Sequence, residues 1–190
     1  MRPKRTEPVV LPERIEGADG ILLRRWTPAD GEGLNRAVAE SADHLRPWMA
    51  WIAQEPISIA QRQSLIDEWN RQWASGGDAY LGVFLDGRIV GGCGLHRRIA
   101  PDGLEIGYWI HCGLVRRGLG TNVACLLVKA ALAVPGISHV EIHHDRANVA
   151  SSGIPRKLGF RLLAEEPDEP EAPAEVGIEC RWRLEKKRRH

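Results

Sequence analysis

Hydrophobic positions recur with two periods along this chain, and the switches between them mark out its elements. Ile21 to Trp26 ("ILLRRW") reads as a first strand. "TPAD" follows, with Thr27 suited to an N-cap, Pro28 to the first helical position and Asp30 to the first turn, which predicts a helix to about Glu40. The aromatic segment "DHLRPWMAWI" is broken by Pro47. Ser58 and Gln61 then form an S-x-x-Q capping box. The helix behind it carries Leu65, Ile66, Trp69 and Trp73 on one stripe and ends at Gly76-Gly77, so Trp69 and Trp73 are expected in the core.

Period two returns in "AYLGVFLDGRIVGGCGLH", where Asp86-Gly87 supplies the two positive-φ residues of a type I′ hairpin. A further strand covers about Leu104 to His111, and an almost wholly apolar helix about Leu119 to Ala133, stopped by Pro135-Gly136. "HVEIHH" (His139 to His144) is a strand, and "NVASSGIPRKLGF" a short helix leading into a strand at Phe160 to Ala164. Proline recurs every three residues in Glu165 to Glu175, which predicts a loop, and a last strand spans about Val176 to Leu184. An antiparallel meander followed by a crossover helix predicts a mixed α/β sheet with helices on both faces. A doubly wound parallel fold would not contain this hairpin.

Composition changes this picture little. The 190 residues suit one domain, residues 1–190 with a core of about 20–185, and 43% hydrophobic residues allow a substantial core. A net charge of +1 supplies no global field towards nucleic acid or membrane. Basic residues cluster at both ends, in Arg2 to Arg5 and Glu185 to His190, which leaves ribosome or RNA contact as a minor expectation. Cys93, Cys112, Cys125 and Cys180 form no C-x-x-C pair, and no signal peptide or run of about 18 apolar residues occurs, so a reducing cytoplasm is expected. His139, His143, His144 and Asp145 lack zinc-type spacing, and no metal is expected.

The chemistry concentrates in "EIGYWIHCGLVRRGLGTNVACLL", Glu105 to Leu127, where a strand runs into a turn with two arginines and two glycines at the start of a helix. A helix start carries unpaired N–H groups and about half a positive charge, so it attracts anions. Gly118 and Gly120 bare the backbone, and Arg116 and Arg117 add positive charge. Nucleotide motifs fail here: Arg97 stands where G-x-G-x-x-G needs its third glycine, and no G-x-x-x-x-G-K-S/T occurs.

"VRRGLG" resembles the Q/R-x-x-G-x-G/A loop of the GNAT acyltransferases, which wraps the pyrophosphate of coenzyme A. "NVASSGIPRKLGF" resembles the N-x-x-S-x-x-I/V-A/P-x-K/R-L-G-F segment of the RimJ/RimL branch, and "DHLRPWMAW" its L-x-x-W-x-x-W loop. The resemblance covers about Ile21 to Leu184 and includes the order of elements. Val115 departs from it, standing where the family often carries Gln or Arg.

The resemblance implies an acetyl-CoA-dependent N-acetyltransferase acting on a primary amine, such as the N-terminus of a protein or ribosomal protein, without a metal. It implies a sheet splayed at the coenzyme site. The backbone from Val115 through Arg116, Arg117, Gly118, Leu119 and Gly120 to Thr121 would hold the diphosphate. Trp109, Ile110 and His111 would line the pantetheine arm, with N–H groups near Trp109 and Ile110 receiving the carbonyl oxygen. Glu105 is the expected proton acceptor, with Glu141 and His111 behind it. Many relatives donate a proton from a tyrosine at the position of Pro155, so Ser151 is expected to serve instead, with Asn148 helping to bind the coenzyme. Trp48 and Trp51 would wall the acceptor pocket. Small-molecule amines, a succinyl donor and a non-catalytic acyl-CoA binder are the competing readings, and a homodimer is the family's habit.

Overall fold

The computed structural model describes residues 11–187, so the basic segment 2–5 and residues 188–190 lie outside the described residues. The strands are β1 (Arg14–Glu16), β2 (Ile21–Arg25), β3 (Ala79–Leu85), β4 (Arg88–His96), β5 (Gly103–Ile110), β6 (His139–Asp145), β7 (Arg161–Pro167) and β8 (Ile178–Glu185). The helices are α1 (Gly31–Leu45), α2 (Ile59–Ala74), α3 (Leu119–Ala133) and α4 (Val149–Leu158). One sheet of order β1-β2-β3-β4-β5-β6-β8-β7 contains them all, antiparallel except for β5 beside β6.

Local chemistry accounts for most boundaries. Asp86 and Gly87 take φ of 48° and 78°, as a type I′ turn requires. The capping box at α2 is made: Gln61 N–H donates to Ser58 Oγ at 3.2 Å, and Ser58 N–H to Gln61 Oε1 at 2.8 Å. Period-two alternation divides the strands between two cores. Leu104 and Ile106 of β5 pack with Val123 and Leu127 of α3, whereas Leu34 and Val38 of α1 pack with Ile66 of α2 and Phe84 on the opposite face. Leu127 is fully buried, and truncating such a leucine costs about 2–5 kcal/mol. Leu119 and Val123 bury the start of α3 in the same core.

Three boundaries depart from the sequence expectation. β1 was not foreseen, being a three-residue strand of exposed and half-buried positions with no periodic signal. Helix α1 continues past Glu40 to Leu45 and gives out two residues before Pro47, because Leu45 is buried in the second core. β7 runs through Glu165 and Glu166 to Pro167, within the segment expected to be a loop. It is the last strand of the sheet, where proline's missing donor need not break a ladder.

The decisive feature is the short contact between β5 and β6. They pair only through Gly103, Leu104 and Glu105 against His139, Val140 and Glu141. Beyond this point β5 stays on β4 to Ile110, while β6 stays on β8 to Asp145. The sheet therefore opens between Ile106–Ile110 and the far half of β6.

Candidate active site

At the glycine turn Arg116 and Gly118 have φ of 62° and 81°, which tips the chain from β5 into α3. Gly118 is the N-cap and no side chain caps the helix. The first backbone bond runs from Asn122 N–H to Gly118 O at 3.0 Å, so the N–H groups of Leu119, Gly120 and Thr121 have no partner within the helix. Arg116, Arg117 and Gly118 are exposed beside them. The two glycines serve different ends. A Cβ on Gly118 would meet nothing within 4 Å, so its role is the left-handed backbone. A Cβ on Gly120 would lie 3.1 Å from Ile154 Cδ1, so Gly120 lets α3 and α4 approach. Val115 packs against the first core, which explains an apolar residue there.

The open edge of β5 presents alternate residues. His111 N–H donates to Val90 O at 2.8 Å on the β4 side, and Ser138 N–H donates to Asp102 O at 2.8 Å on the β6 side. Alternation then turns the N–H groups of Glu105, Gly107 and Trp109 towards β4, and those of Tyr108 and Ile110 into the opening. This corrects the expectation for Trp109, whose N–H faces its paired strand; Tyr108 and Ile110 are the available donors. The His111 side chain is also committed elsewhere. Its Nδ1 accepts from Gly113 N–H at 3.1 Å, and its Nε2 donates to Glu40 at 2.8 Å, tying the end of β5 to α1. With both nitrogens occupied it is no longer a candidate base.

A cavity of about 550 Å³ passes through the opening and reaches both faces of the sheet. On the α1–α2 side Trp48 and Trp51 line it, as expected from the sequence. Trp51 packs on Trp109 with ring centroids 6.2 Å apart, and Gly92 leaves room for that indole, since a Cβ there would lie 2.5 Å from Trp109 Nε1. Trp73 is buried, but Trp69 also lines the cavity, stacked on Tyr80 at 5.1 Å. The loop bearing Trp51 is braced by a buried ion pair of Glu55 with Arg62, whose Nε donates to Asn35 Oδ1 at 2.7 Å.

Where β5 and β6 part, several charged groups meet. Glu105 accepts from Arg98 through both oxygens, at 2.8 and 2.6 Å, and this raises the Arg98 pKa. Glu141 accepts from His143 Nε2 at 2.6 Å and from Arg183 Nε at 2.8 Å. Burial pushes the Glu141 carboxyl up, but these bonds win and hold it below its usual range. Its lone pairs are largely taken, which makes it a poorer base than its position suggests. His143 Nδ1 lies 3.1 Å from Glu179 and 3.9 Å from Glu105. Beyond them a second hollow of about 480 Å³ is walled by Glu105, Asp168, Glu169, Glu171, Glu175 and Glu179. The net sign there is negative, with Arg98 opposing it.

On the α3–α4 side Tyr108, Asn148 and Ser151 line the cavity. Asn148 Oδ1 accepts from Ser151 N–H at 3.1 Å and caps α4. Tyr108 escaped the sequence analysis, although alternation along β5 already put it opposite Glu105 and Trp109 in facing direction. Burial pushes its pKa up to about 12, the Ser151 hydroxyl opposing the rise, and Tyr108 Oη is buried without making a hydrogen bond of ordinary geometry. Among the described residues no group of three His, Cys, Asp or Glu side chains is arranged to hold a metal.

An anion-seeking helix start, an unpaired strand edge leading from it and a cavity through the sheet suit a phosphorylated, amide-containing thioester such as acetyl-CoA. Comparison with known proteins agrees. YdaF of Bacillus subtilis (strain 168), provisionally named a ribosomal N-acetyltransferase, is 28% identical over 142 residues, 74% of this chain and 77% of its own. The solved structure of RimL, a ribosomal L7/L12 alpha-N-protein acetyltransferase in complex with coenzyme A, superposes with TM-score 0.82 at 16% identity, covering 91% of this chain and 98% of that one. The microcin C7 self-immunity acetyltransferase MccE, in complex with acetyl-CoA and AMP, gives TM-score 0.83 at 18% identity over 94% and 99%. Residues 21–161 match the family model described as "Acetyltransferase (GNAT) domain", and the chain belongs to that acetyl-CoA-dependent family.

Proposed function

We propose that this protein moves an acetyl group from acetyl-CoA to the α-amine of a protein N-terminus, of the kind found on ribosomal proteins. The observation that carries this reading is the opening of β5 from β6 beside the bare start of α3. The N–H groups of Leu119, Gly120 and Thr121, with Arg116 and Arg117, hold the diphosphate. Tyr108 and Ile110 offer edge N–H and C=O groups to the pantetheine amides, and the Ile110 N–H faces the thioester oxygen as it gains charge. The acceptor comes from the opposite face, past Trp48 and Trp51, drawn by the acidic hollow. Its nitrogen attacks the thioester carbon directly, and Glu105 takes the proton, its plane fixed by Arg98.

An α-amine suits this base. Its pKa of about 7.7–8.0 leaves part of it unprotonated at neutral pH, whereas a lysine at about 10.4 needs a stronger base. A carboxylate already held by a guanidinium can give only modest help. Free thiols at Cys93, Cys112, Cys125 and Cys180 suit a reducing cytoplasm.

The aromatic wall favours a second reading, in which the acceptor is a small amine bearing a flat or apolar group. Thiol release from acetyl- and succinyl-CoA, measured with a panel of N-terminal peptides, aminoglycosides, polyamines and aminoacyl conjugates, separates these. Peptide turnover well above that of small amines is expected. Turnover with small amines alone transfers the assignment to the second reading. A melting temperature raised by acetyl-CoA with no acceptor turned over makes the protein a binder and refutes catalysis.

A further inference from the structure

Of the buried side-chain nitrogen and oxygen atoms that make no hydrogen bond of ordinary geometry among the described residues, only Tyr108 Oη belongs to a residue lining the cavity. The Ser151 hydroxyl is the polar group beside it. A buried hydroxyl so poorly satisfied is costly, and native proteins keep such groups where a ligand completes them. Tyr108 stands on the half of β5 that has left β6, on the face shared with Asn148 and Ser151 of α4. Position 155 of α4 is a buried proline, which has no proton to give.

We propose that the Tyr108 hydroxyl donates a hydrogen bond to the departing sulfur of coenzyme A and stabilises it as a thiolate, with the Ser151 hydroxyl as a neighbouring donor. The proposal rests on the acyl-transfer reading above. As the amine nitrogen bonds to the acetyl carbon, the carbon–sulfur bond breaks and its electron pair goes to sulfur. The amine proton goes to Glu105 and on to solvent, and the thiolate takes a proton from solvent once released. The products are an amide and a free thiol, with no net change in protons.

Full proton transfer from Tyr108 is disfavoured. Burial pushes the phenol to about 12, far above a thiol at about 8.5, so the proton stays on oxygen. The group is instead a permanently loaded donor whose oxygen is buried, where a bond to an anionic sulfur is strong. It loses none of this capacity through the alkaline range in which the thiol ionises.

Tyr108→Phe removes only the oxygen, and titration calorimetry with coenzyme A and with desulfo-coenzyme A at pH 9 isolates the sulfur contact. The unaltered protein is expected to prefer coenzyme A by about tenfold, as for one charge-assisted hydrogen bond. Tyr108→Phe loses most of that preference while binding desulfo-coenzyme A unchanged, and its kcat falls about 10- to 100-fold at constant KM for acetyl-CoA. The thiolate absorbance of bound coenzyme A appears at higher pH than in the unaltered protein. Ser151→Ala shows the same pattern more weakly. The melting temperature of Tyr108→Phe without ligand does not fall. Equal weakening towards both ligands, or a lower melting temperature, would mean that the hydroxyl serves the pantetheine arm or the fold, and overturns the proposal. An unaltered protein that binds neither ligand overturns the acyl-transfer reading itself; one that binds both and loses no discrimination in the variant overturns the Tyr108 role alone.

Discussion

Gly118 separates two effects that a single substitution would confuse. Its φ of 81° and ψ of −6° are left-handed, and a Cβ there meets nothing within 4 Å. Gly118→Ala and Gly118→Glu therefore share one backbone penalty, about 1–2 kcal/mol for an L-residue in this region. Glutamate regains about 0.3–1 kcal/mol from the positive end of α3. At about 2–4 °C per kcal/mol for a chain of this size, both should melt only a few degrees low. Coenzyme binding should divide them sharply. A carboxylate about 5 Å from one diphosphate charge, at an effective dielectric of about 20, is repelled by about 3 kcal/mol, or about 100-fold in affinity. Differential scanning of the free proteins and calorimetric titration with coenzyme A give the two numbers independently. Gly118→Ala should bind within a few-fold of the unaltered protein and Gly118→Glu about 100-fold more weakly. Equal affinities for the two variants would refute an anion at this corner.

Two further substitutions probe the carboxylates. Glu105→Gln should leave coenzyme A affinity intact and lower kcat/KM about 10- to 100-fold, most at low pH where the amine is protonated; a ratio constant from pH 6 to 9 removes Glu105 as base. Asp145 accepts backbone N–H groups from Ala147, Val176, Gly177 and Ile178, clamping the start of β8 to the end of β6. Burial pushes its carboxyl up, yet these bonds prevail and hold it below the usual 3.8. A depressed folded value means that its contribution is complete above the unfolded pKa and is lost as pH falls through the folded one. Asp145→Asn should thus lower the melting temperature at pH 7 and make the decline below pH 4 shallower; parallel pH curves would refute the clamp.

Legibility followed the range of the interactions involved. The hairpin at Asp86-Gly87 and helix α3 are written in local turn and cap chemistry, and the sequence boundaries of α3 match Leu119–Ala133. The cationic, glycine-bearing turn was equally visible. β1 carries no local signal, and Pro167 argued against a strand that only its place at the sheet's edge permits. Within the site, Glu105 could be placed by alternation, but its pairing with Arg98 depends on the loop between β4 and β5 turning back. Which N–H groups near Trp109 and Ile110 face the opening is not legible locally, because it depends on which strand β5 leaves, a fact fixed by pairing over 30 residues away. Tyr108 is legible only once β5 and α4 are known to share a face, since no motif marks it.

The early parting of β5 and β6 turns a wall into a window. In the proposed reaction, donor and acceptor reach one carbon atom from opposite faces of the sheet, each along its own helices. On that proposal, mutations in the aromatic loop before α2 would redirect the protein to a new amine while the thioester keeps its footing, so acceptor choice would drift independently of the chemistry it serves.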